Sequence, residues 1–507
     1  MPPALGARML KRAALAAVAI VLMTAGAVSA AGFLTADDLI NTVEREGRAP
    51  LAIPEDEIDR AEAGEAQTIM LLGSDERYGD REAGKKPLSD TILLVRLDPD
   101  KEAIAVTSIP RDLQVNIPGV SFRTKINYAF QVGGVARTLK TVKQLLSTPE
   151  RPFEVNHVVT LGFGDFRRAV DYIGCVYVDI DHDYFNDNNP PVDSPTNYAT
   201  IDIDPGYQKL CGQDALDYVR YRHGDSDLVR AARQQDFLRQ VKQQTNVRRL
   251  LQWGARKEVA KMVGRFLRTS RSLRRKKDLF RILQLVIFTA GKPIQEVQFR
   301  SHPSPDGVNV EASQDELRRT MREFFAARGS AKPRATAQPT AREQAEVKRR
   351  KKRKPAQVAG LENARREGED MALLAAKKAK FPFYYPTLRT RGSSYGGLEP
   401  RVYRIRDELG KRHRAYRLVI HKGFVGEYYG VQGMTWRYPP ILDDPSEIRT
   451  DPRTGRRLEL FYDGRRLRLV AWRTKNAVYW VSNTLTQSIN EKQMLAIAGS
   501  LRRLGQK

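Results

Sequence analysis

Two cysteines and six histidines are all that the 507 residues offer of the side chains used in nucleophilic dyads and many metal sites. Chemistry through a Ser-His or Cys-His pair therefore has little to draw on, and His413 and His421 in the C-terminal part lack metal-ligand spacing. Negative charge is also in deficit. Asp and Glu number 60 against 86 Lys and Arg, giving a formal charge of +26 and a pI near 10.0. That surplus implies anionic company such as nucleic acid, anionic lipid or a phosphorylated polymer. The chain is too long for one ordinary domain, and its 41% hydrophobic content suffices for two packed cores plus tails.

The N-terminus narrows the choice of partner. Arg8, Lys11 and Arg12 precede an uncharged stretch over 13–34, long enough to cross a bilayer as a helix. With Asp37, Asp38 and Glu44 beyond it, the charge asymmetry predicts a cytoplasmic tail (1–12), a transmembrane signal anchor (13–34) and a body outside the cell. A cleaved signal peptide ending near Val28-Ser29-Ala30 is the alternative; either way the body is exported and no nucleic acid partner is expected. Cys175 and Cys211 both lie in that body, where a disulfide would persist, the alternative being two buried thiols.

Beyond an acidic stalk (35–65), residues 66–326 read as an α/β sandwich. Strands are predicted over 68–72, 91–97, 103–109, 158–161, 176–180 and 297–299. Helices are predicted over 134–146, 166–173, 212–221, 229–242 and 314–325, and a basic helical stretch over 248–288. Residues 327–380, rich in Ala, Pro and Lys, contain the block Lys348-Arg349-Arg350-Lys351-Lys352-Arg353-Lys354 and read as a solvated linker. Residues 381–507 regain strand patterns, with strands at 416–420, 467–472 and 477–482 and a closing helix over 490–504, and read as a small α+β domain. Trp436 and Trp472 read as core residues of that domain.

Within the larger domain, acid, base and amide recur in five clusters. They are Gly73-Ser74-Asp75-Glu76-Arg77, Ser89-Asp90-Thr91, Pro110-Arg111-Asp112, Lys125-Ile126-Asn127 and the run from Tyr218-Val219-Arg220-Tyr221-Arg222 to Arg230 and Arg233-Gln234-Gln235. A few carboxylates among many guanidiniums suit a divalent metal and a polyphosphate held together, since arginine grips phosphate bidentately and stays charged. Asp75 and Asp90 each sit at the edge of a predicted strand and can supply the one or two carboxylates that magnesium takes. The plainer alternatives are a turn cap at Asp75, a strand start at Asp90 and a solvated basic face for the arginines. Arg220 and Arg222 share a side only if the backbone is extended, so the helix is expected to unwind near Tyr221.

In this order, with Gly133-Gly134 between the fourth and fifth clusters, the motifs resemble the LytR-CpsA-Psr family of cell-wall glycopolymer ligases over about residues 66–300. The resemblance implies a central mixed β-sheet flanked by helices. It further implies transfer of a glycopolymer from a polyprenyl-pyrophosphate carrier to a peptidoglycan sugar hydroxyl at the membrane, forming a phosphodiester. Asp75 and Asp90 would be the ligands of magnesium, or of manganese in its place, one of them also serving as base. Arg111, Arg220, Arg222, Arg230, Arg233 and Gln234 would clamp the pyrophosphate, with Arg77 and Lys125 as weaker contributors. An apolar tunnel for the lipid would include 283–290. Transfer at a pyrophosphate needs in-line positioning and charge neutralisation more than covalent help, which metal and arginines supply. Leu88 departs from the family, many of whose members have arginine there, and Ile173-Gly174-Cys175 replaces its more usual Gly-Gly-Val. The competing readings are a phosphohydrolase acting on the same carrier and a non-catalytic wall-polymer binding protein.

Overall fold

The computed structural model describes residues 49–62, 64–74, 89–187, 199–221, 227–244, 264–275, 294–305, 309–328, 358–397, 399–423 and 426–505, with a few isolated positions besides. The expected membrane segment (13–34), Asp75, Arg77, Leu88, Arg222 and the basic block at 348–354 lie outside the described residues. No described helix is long and apolar enough to cross a membrane.

The first unit is built on a six-stranded mixed sheet. Its strands are β1 (Gln67–Ser74), β2 (Ser89–Asp98), β3 (Ala103–Ile109), β6 (His157–Gly162), β11 (Arg268–Thr269) and β12 (Ile294–Glu296), in the order β11-β6-β1-β2-β3-β12. Pairing is antiparallel between β1 and β2 and between β2 and β3, and parallel between β1 and β6 and between β3 and β12. These runs are nearly continuously apolar because both faces are covered. Ile92 and Leu94 of β2 face a core with Leu139, Val142, Leu317 and Phe324. Leu93, Val95 and Leu97 of the same strand face the opposite side, against Leu238, Ile282 and Leu285.

Helix α1 (Tyr128–Leu146) and helix α5 (Gln314–Ala326) supply the first face, α5 being started by a capping box of Ser313 and Glu316. Helix α1 begins earlier than the predicted 134, and its non-helical break falls at Gly133-Gly134, where Gly134 takes φ 61°. Helix α4 (Asp227–Gln244) supplies Leu238 to the second face. Helices α2 (Phe163–Tyr172) and α3 (Gly212–Arg220) lie beside a ribbon of β7 (Val176–Ile180) and β10 (Gly206–Leu210), with short strands β8 (Tyr184–Asn186) and β9 (Ile201–Ile203) next to it. Strands β4 (Gln114–Asn116) and β5 (Arg123–Lys125) form a small hairpin.

Several expectations are corrected. The end of the predicted stalk is not solvated: Leu51, Ile53 and Ile58 are buried in the first core. The last strand runs over Ile294–Glu296 and not 297–299, because its pairing to β3 ends at Val106. Within the stretch read as helical, Arg268–Thr269 pairs with β6 instead. Of the predicted tunnel wall, Leu285 is described and is packed against the sheet. The end of the predicted linker is also ordered, since a strand, Leu361–Asn363, and helix α6 (Arg365–Ala379) bury Ala372, Ala375 and Ala379 in the second core. Small side chains there let a helix approach a sheet closely, which gives little apolar signal in sequence.

The second unit is an eight-stranded antiparallel sheet. Its central strands are Arg412–His421, Tyr428–Met434, Val478–Ser482 and Arg466–Arg473. Helix α6 and helix α7 (Glu491–Ser500) cover one face, where Tyr416, Leu418, Tyr479 and Trp472 are buried. The closing helix ends at Ser500, and Leu501–Arg503 pairs as a strand with Tyr384–Pro386, so the predicted helix to 504 is too long.

The other face of that sheet meets the first unit. Tyr177 and Tyr207 of the β7–β10 ribbon share one core with Met434, Trp436, Leu469 and Trp480. Asp179 of the same ribbon accepts from Arg417 Nη1 at 3.3 Å and from Trp480 Nε1 at 3.1 Å. The two units are therefore joined through a common apolar and ionic interior.

Candidate active site at one end of the sheet

The register of the sheet brings the first three motif clusters to one end of it. Ser74, the last residue of β1, pairs with Ser89, the first of β2, with a bulge at Gly73/Ser74. Ile109, the last residue of β3, pairs with Ile92. Gly162, the last of β6, stands beside Ser74. The residues following β1, β3 and β6 thus emerge together around the start of β2, as chain reversal between antiparallel neighbours requires. Gly73 is fixed by crowding, since a Cβ there would lie 3.0 Å from Thr91 Cβ.

Asp75 follows Ser74 directly, and the backbone of Asp90 lies in β2 beside the Ser74–Ser89 pair. Asp75 itself and the side chain of Asp90 are outside the described residues. Two carboxylate-bearing positions at adjacent strand ends, with hard oxygen donors, fit a magnesium or manganese ion. By contrast, the described cluster of Asp171, Cys175 and Cys211 fits no metal, because its two sulfurs are bonded to each other.

Arg111 follows Pro110, where a residue with fixed φ and no N–H ends the ladder. Its Nε lies 3.4 Å from Asp112 Oδ2, and Lys125 Nζ lies 3.1 Å from Asp112 Oδ1. Ile126 explains the geometry of the Lys-Ile-Asn motif: it is fully buried and its N–H bonds to Leu113 O, while Asn127 N–H bonds to Arg111 O. One anchored residue thus holds Lys125 and Arg111 on the same carboxylate.

The other arginines come from α3 and α4. Helix α3 ends at Arg220, and Tyr221 has non-helical backbone (φ −53°, ψ 137°), as the spacing of Arg220 and Arg222 predicts. Arg220 donates through Nε to Asp217 Oδ1 at 2.9 Å and lies 5.8 Å above the ring of Phe163, which follows Gly162. That contact ties α3 to the motif-bearing end of the sheet. Gln234 Nε2 donates to Val219 O at 3.2 Å, joining α4 to α3. Arg230 is 8% exposed.

Arg233 differs from its expected place. It is wholly buried, and it donates to Tyr184 Oη at 3.2 Å, Tyr218 O at 3.3 Å and Tyr221 O at 3.0 Å. Its guanidinium lies 4.6 Å over the Tyr184 ring. Burial works against its charge, yet Tyr184, Tyr218 and Asp181 outweigh that and raise its pKa above the usual arginine value. Arg233 thus pins the α3–α4 junction from inside and does not stand in the open clamp predicted for it. Tyr184 was not among the predicted site residues; it lies more than thirty positions before Arg220 in a short strand that carries no motif.

The disulfide is formed between Cys175 and Cys211. It joins the start of β7 to the residue capping α3, and so secures the base of the arginine-bearing helix.

The described residues thus form an α/β scaffold whose mixed sheet has Arg111, Asp112, Lys125 and the Arg220-bearing end of α3 near one end. The LytR_cpsA_psr family model matches residues 32–323, and the chain belongs to that family. TagT of Bacillus subtilis, a polyisoprenyl-teichoic acid–peptidoglycan teichoic acid transferase, is 28% identical over 296 residues, 57% of this chain and 85% of its own. The uncharacterized protein SAOUHSC_00997 of Staphylococcus aureus is 34% identical over 175 residues, 34% of this chain and 40% of its own. TagV of B. subtilis, likewise a teichoic acid transferase by name, is 32% identical over 175 residues, 34% of this chain and 41% of its own. The chain thus spans well under two thirds of the length of several of these relatives. The crystal structure of B. subtilis TagT aligns at 27% identity and a TM-score of 0.40, covering 54% of this chain and 98% of that one.

Proposed function

We propose that the protein is a membrane-anchored, extracytoplasmic phosphotransferase. It moves a glycopolymer from a polyprenyl-pyrophosphate carrier to a sugar hydroxyl of peptidoglycan. The observation that carries this reading is the meeting of β1, β2, β3 and β6 at one sheet end, with Arg111 and Arg220 brought there by Pro110 and Phe163. The names of TagT and TagV describe the same kind of transfer.

In this reading the acceptor hydroxyl oxygen attacks the phosphorus nearest the glycan. The bond from that phosphorus to the bridging oxygen breaks, a sugar phosphodiester forms and polyprenyl phosphate leaves. The hydroxyl proton passes to the carboxylate of Asp75 or Asp90. Arg111, Arg220, Arg222, Arg230 and Gln234 hold the phosphoryl oxygens in line, with Lys125 and Arg77 adding charge at the rim. Arg233 holds α4 so that its neighbours reach that place. A magnesium or manganese ion held by Asp75 and Asp90 would add neutralising charge at the same oxygens.

The test is transfer of a polyprenyl-pyrophosphate-linked glycan to peptidoglycan. Asp75→Ala and Arg111→Ala should each lower it by about 100-fold or more, with an unchanged circular dichroism spectrum. Normal wall-linked product from both variants would remove these residues from the mechanism. Free phosphorylated glycan in place of wall-linked product would make the protein a hydrolase.

A further inference from the structure

A cavity of about 260 Å³ lies between the two units, close to the lower end of the roughly 300–1,000 Å³ common for small-ligand pockets. The first unit lines it with Pro110, Gln298 and Phe299 among others, and the second unit with Arg466, Thr486 and Gln487. Pro110 places it one residue from Arg111. Helix α4 forms a wall through Leu228, Ala231, Ala232 and Gln235. At helical spacing these four share one stripe, on the reverse side from Arg230, Arg233 and Gln234. The cavity is thus separated from Arg230, Arg233 and Gln234 by about one helix diameter (~10 Å), while Pro110 brings it next to Arg111.

Its lining combines apolar side chains with neutral hydrogen-bonding groups and a single arginine, Arg466, among the described residues. Three carboxamides (Gln235, Gln298, Gln487) and three hydroxyls (Ser108, Ser301, Thr486) line it beside the Phe299 ring; Arg466 donates to Thr486 O at 3.3 Å, and Glu296 is paired with Arg239. An acyl chain would leave those polar groups unmatched, and a polyanion would need more than one cation. Gln487 carries the sharpest signal. Its Nε2 donates to Asp463 Oδ2 at 2.9 Å, but its Oε1 is buried with no hydrogen-bond partner. Its backbone is held at φ 54°, an uncommon conformation for a residue with a side chain and one that collects at binding sites. The loop that imposes it is tied by Gln487 N–H to Thr484 O at 2.8 Å and Ser488 N–H to Thr484 Oγ1 at 3.0 Å. Turned toward the cavity that Gln487 lines, this unmatched acceptor would suit a ligand hydroxyl or acetamido N–H.

We infer that this cavity is a saccharide subsite, completed by the second unit, which grips a neutral sugar ring of the glycan a residue or two away from the reacting one. The inference rests on the transfer reading for its purpose, though not for the binding itself. Such a ring can come from the peptidoglycan acceptor or from the carried polymer, and the shared chemistry is a neutral, polyhydroxylated ring.

The experiment uses the full chain in detergent and two soluble probes, an N-acetylglucosamine tetramer for the acceptor side and a glucose tetramer without acetamido groups for the carrier side. Titration calorimetry should detect binding of one of them. Ala232→Phe, which fills the cavity from α4, and Gln487→Gly, which removes the carboxamide while suiting the positive φ, should each weaken it by about tenfold or more. Binding of inorganic pyrophosphate, and the melting temperature within a few degrees, should be retained in both variants. If neither tetramer binds the parent chain, or if both folded variants bind as the parent does, the subsite is refuted. Tetramer binding that depends on both positions, in a chain that binds no pyrophosphate, upholds the subsite and counts against the transfer reading alone.

Discussion

At the scale of single residues, the charged groups divide into those that stay at a surface and those that the fold takes inside. Arg233 belongs to the second kind. Arg233→Met should leave two carbonyls unmatched, take from Tyr184 Oη one of its two partners, and lower stability by about 3 kcal/mol, read from the urea midpoint. A side chain acting only as an open phosphate contact would show no such loss. His157 is another buried polar residue, 4% exposed, with Nδ1 2.8 Å from Ser272 Oγ and Nε2 2.8 Å from Gln67 Oε1. Burial lowers its pKa from 6.5 to about 4. Between those values the unfolded chain binds a proton that the folded one does not, so stability falls as pH drops from 6.5 towards 4. The loss amounts to about 3 kcal/mol at about 1.4 kcal/mol per factor of ten in proton affinity. His157→Gln should remove that part of the acid sensitivity, as measured by denaturant midpoints across this range.

At the scale of elements, the α3–α4 pair is the part whose position matters most to the arginines. The disulfide between Cys175 and Cys211 spans a separation of 36 residues and fastens the start of α3 to the start of β7. The double variant Cys175→Ser, Cys211→Ser should lose about 4 kcal/mol of stability by the loop-entropy estimate. Its transfer activity should fall before it unfolds, because Arg220 is the last residue of the loosened helix. Equal melting temperatures for the double variant and the parent would show that packing of α3 on α2 is enough by itself.

At the scale of the molecule, the two units are expected to unfold together. Asp179 carries the junction, being hydrogen-bonded to Arg417 and Trp480 in a setting where both side chains are essentially solvent-free. Asp179→Ala strands the Arg417 charge inside, at a cost of about 3–5 kcal/mol. Calorimetry should then replace one transition in the parent by two in the variant. Two transitions in the parent already would mean that the shared core of Tyr177, Tyr207, Trp436 and Trp480 does not couple the units.

Much of this was legible without coordinates. The apolar runs of β1, β2, β3 and β6, the unwinding at Tyr221 and the motif set itself depend on local spacing and side-chain chemistry, which a linear chain records. The proposed phosphate site draws on the same local record of arginine and carboxylate. Other features depend on contacts between residues far apart in the chain, for which no local pattern exists. The small residues of α6 gave no core signal because their burial follows from the close approach of a sheet. Arg233 carried the same charge as Arg220 in the sequence, and only the tyrosines of β8 and α3 took it inside. The cavity against Gln487 exists because the second sheet buries its other face on the β7–β10 ribbon. The chemistry proposed for the site follows from residue type and order; which groups stay open was decided by packing, because burial is a property of the folded surface and not of any one side chain.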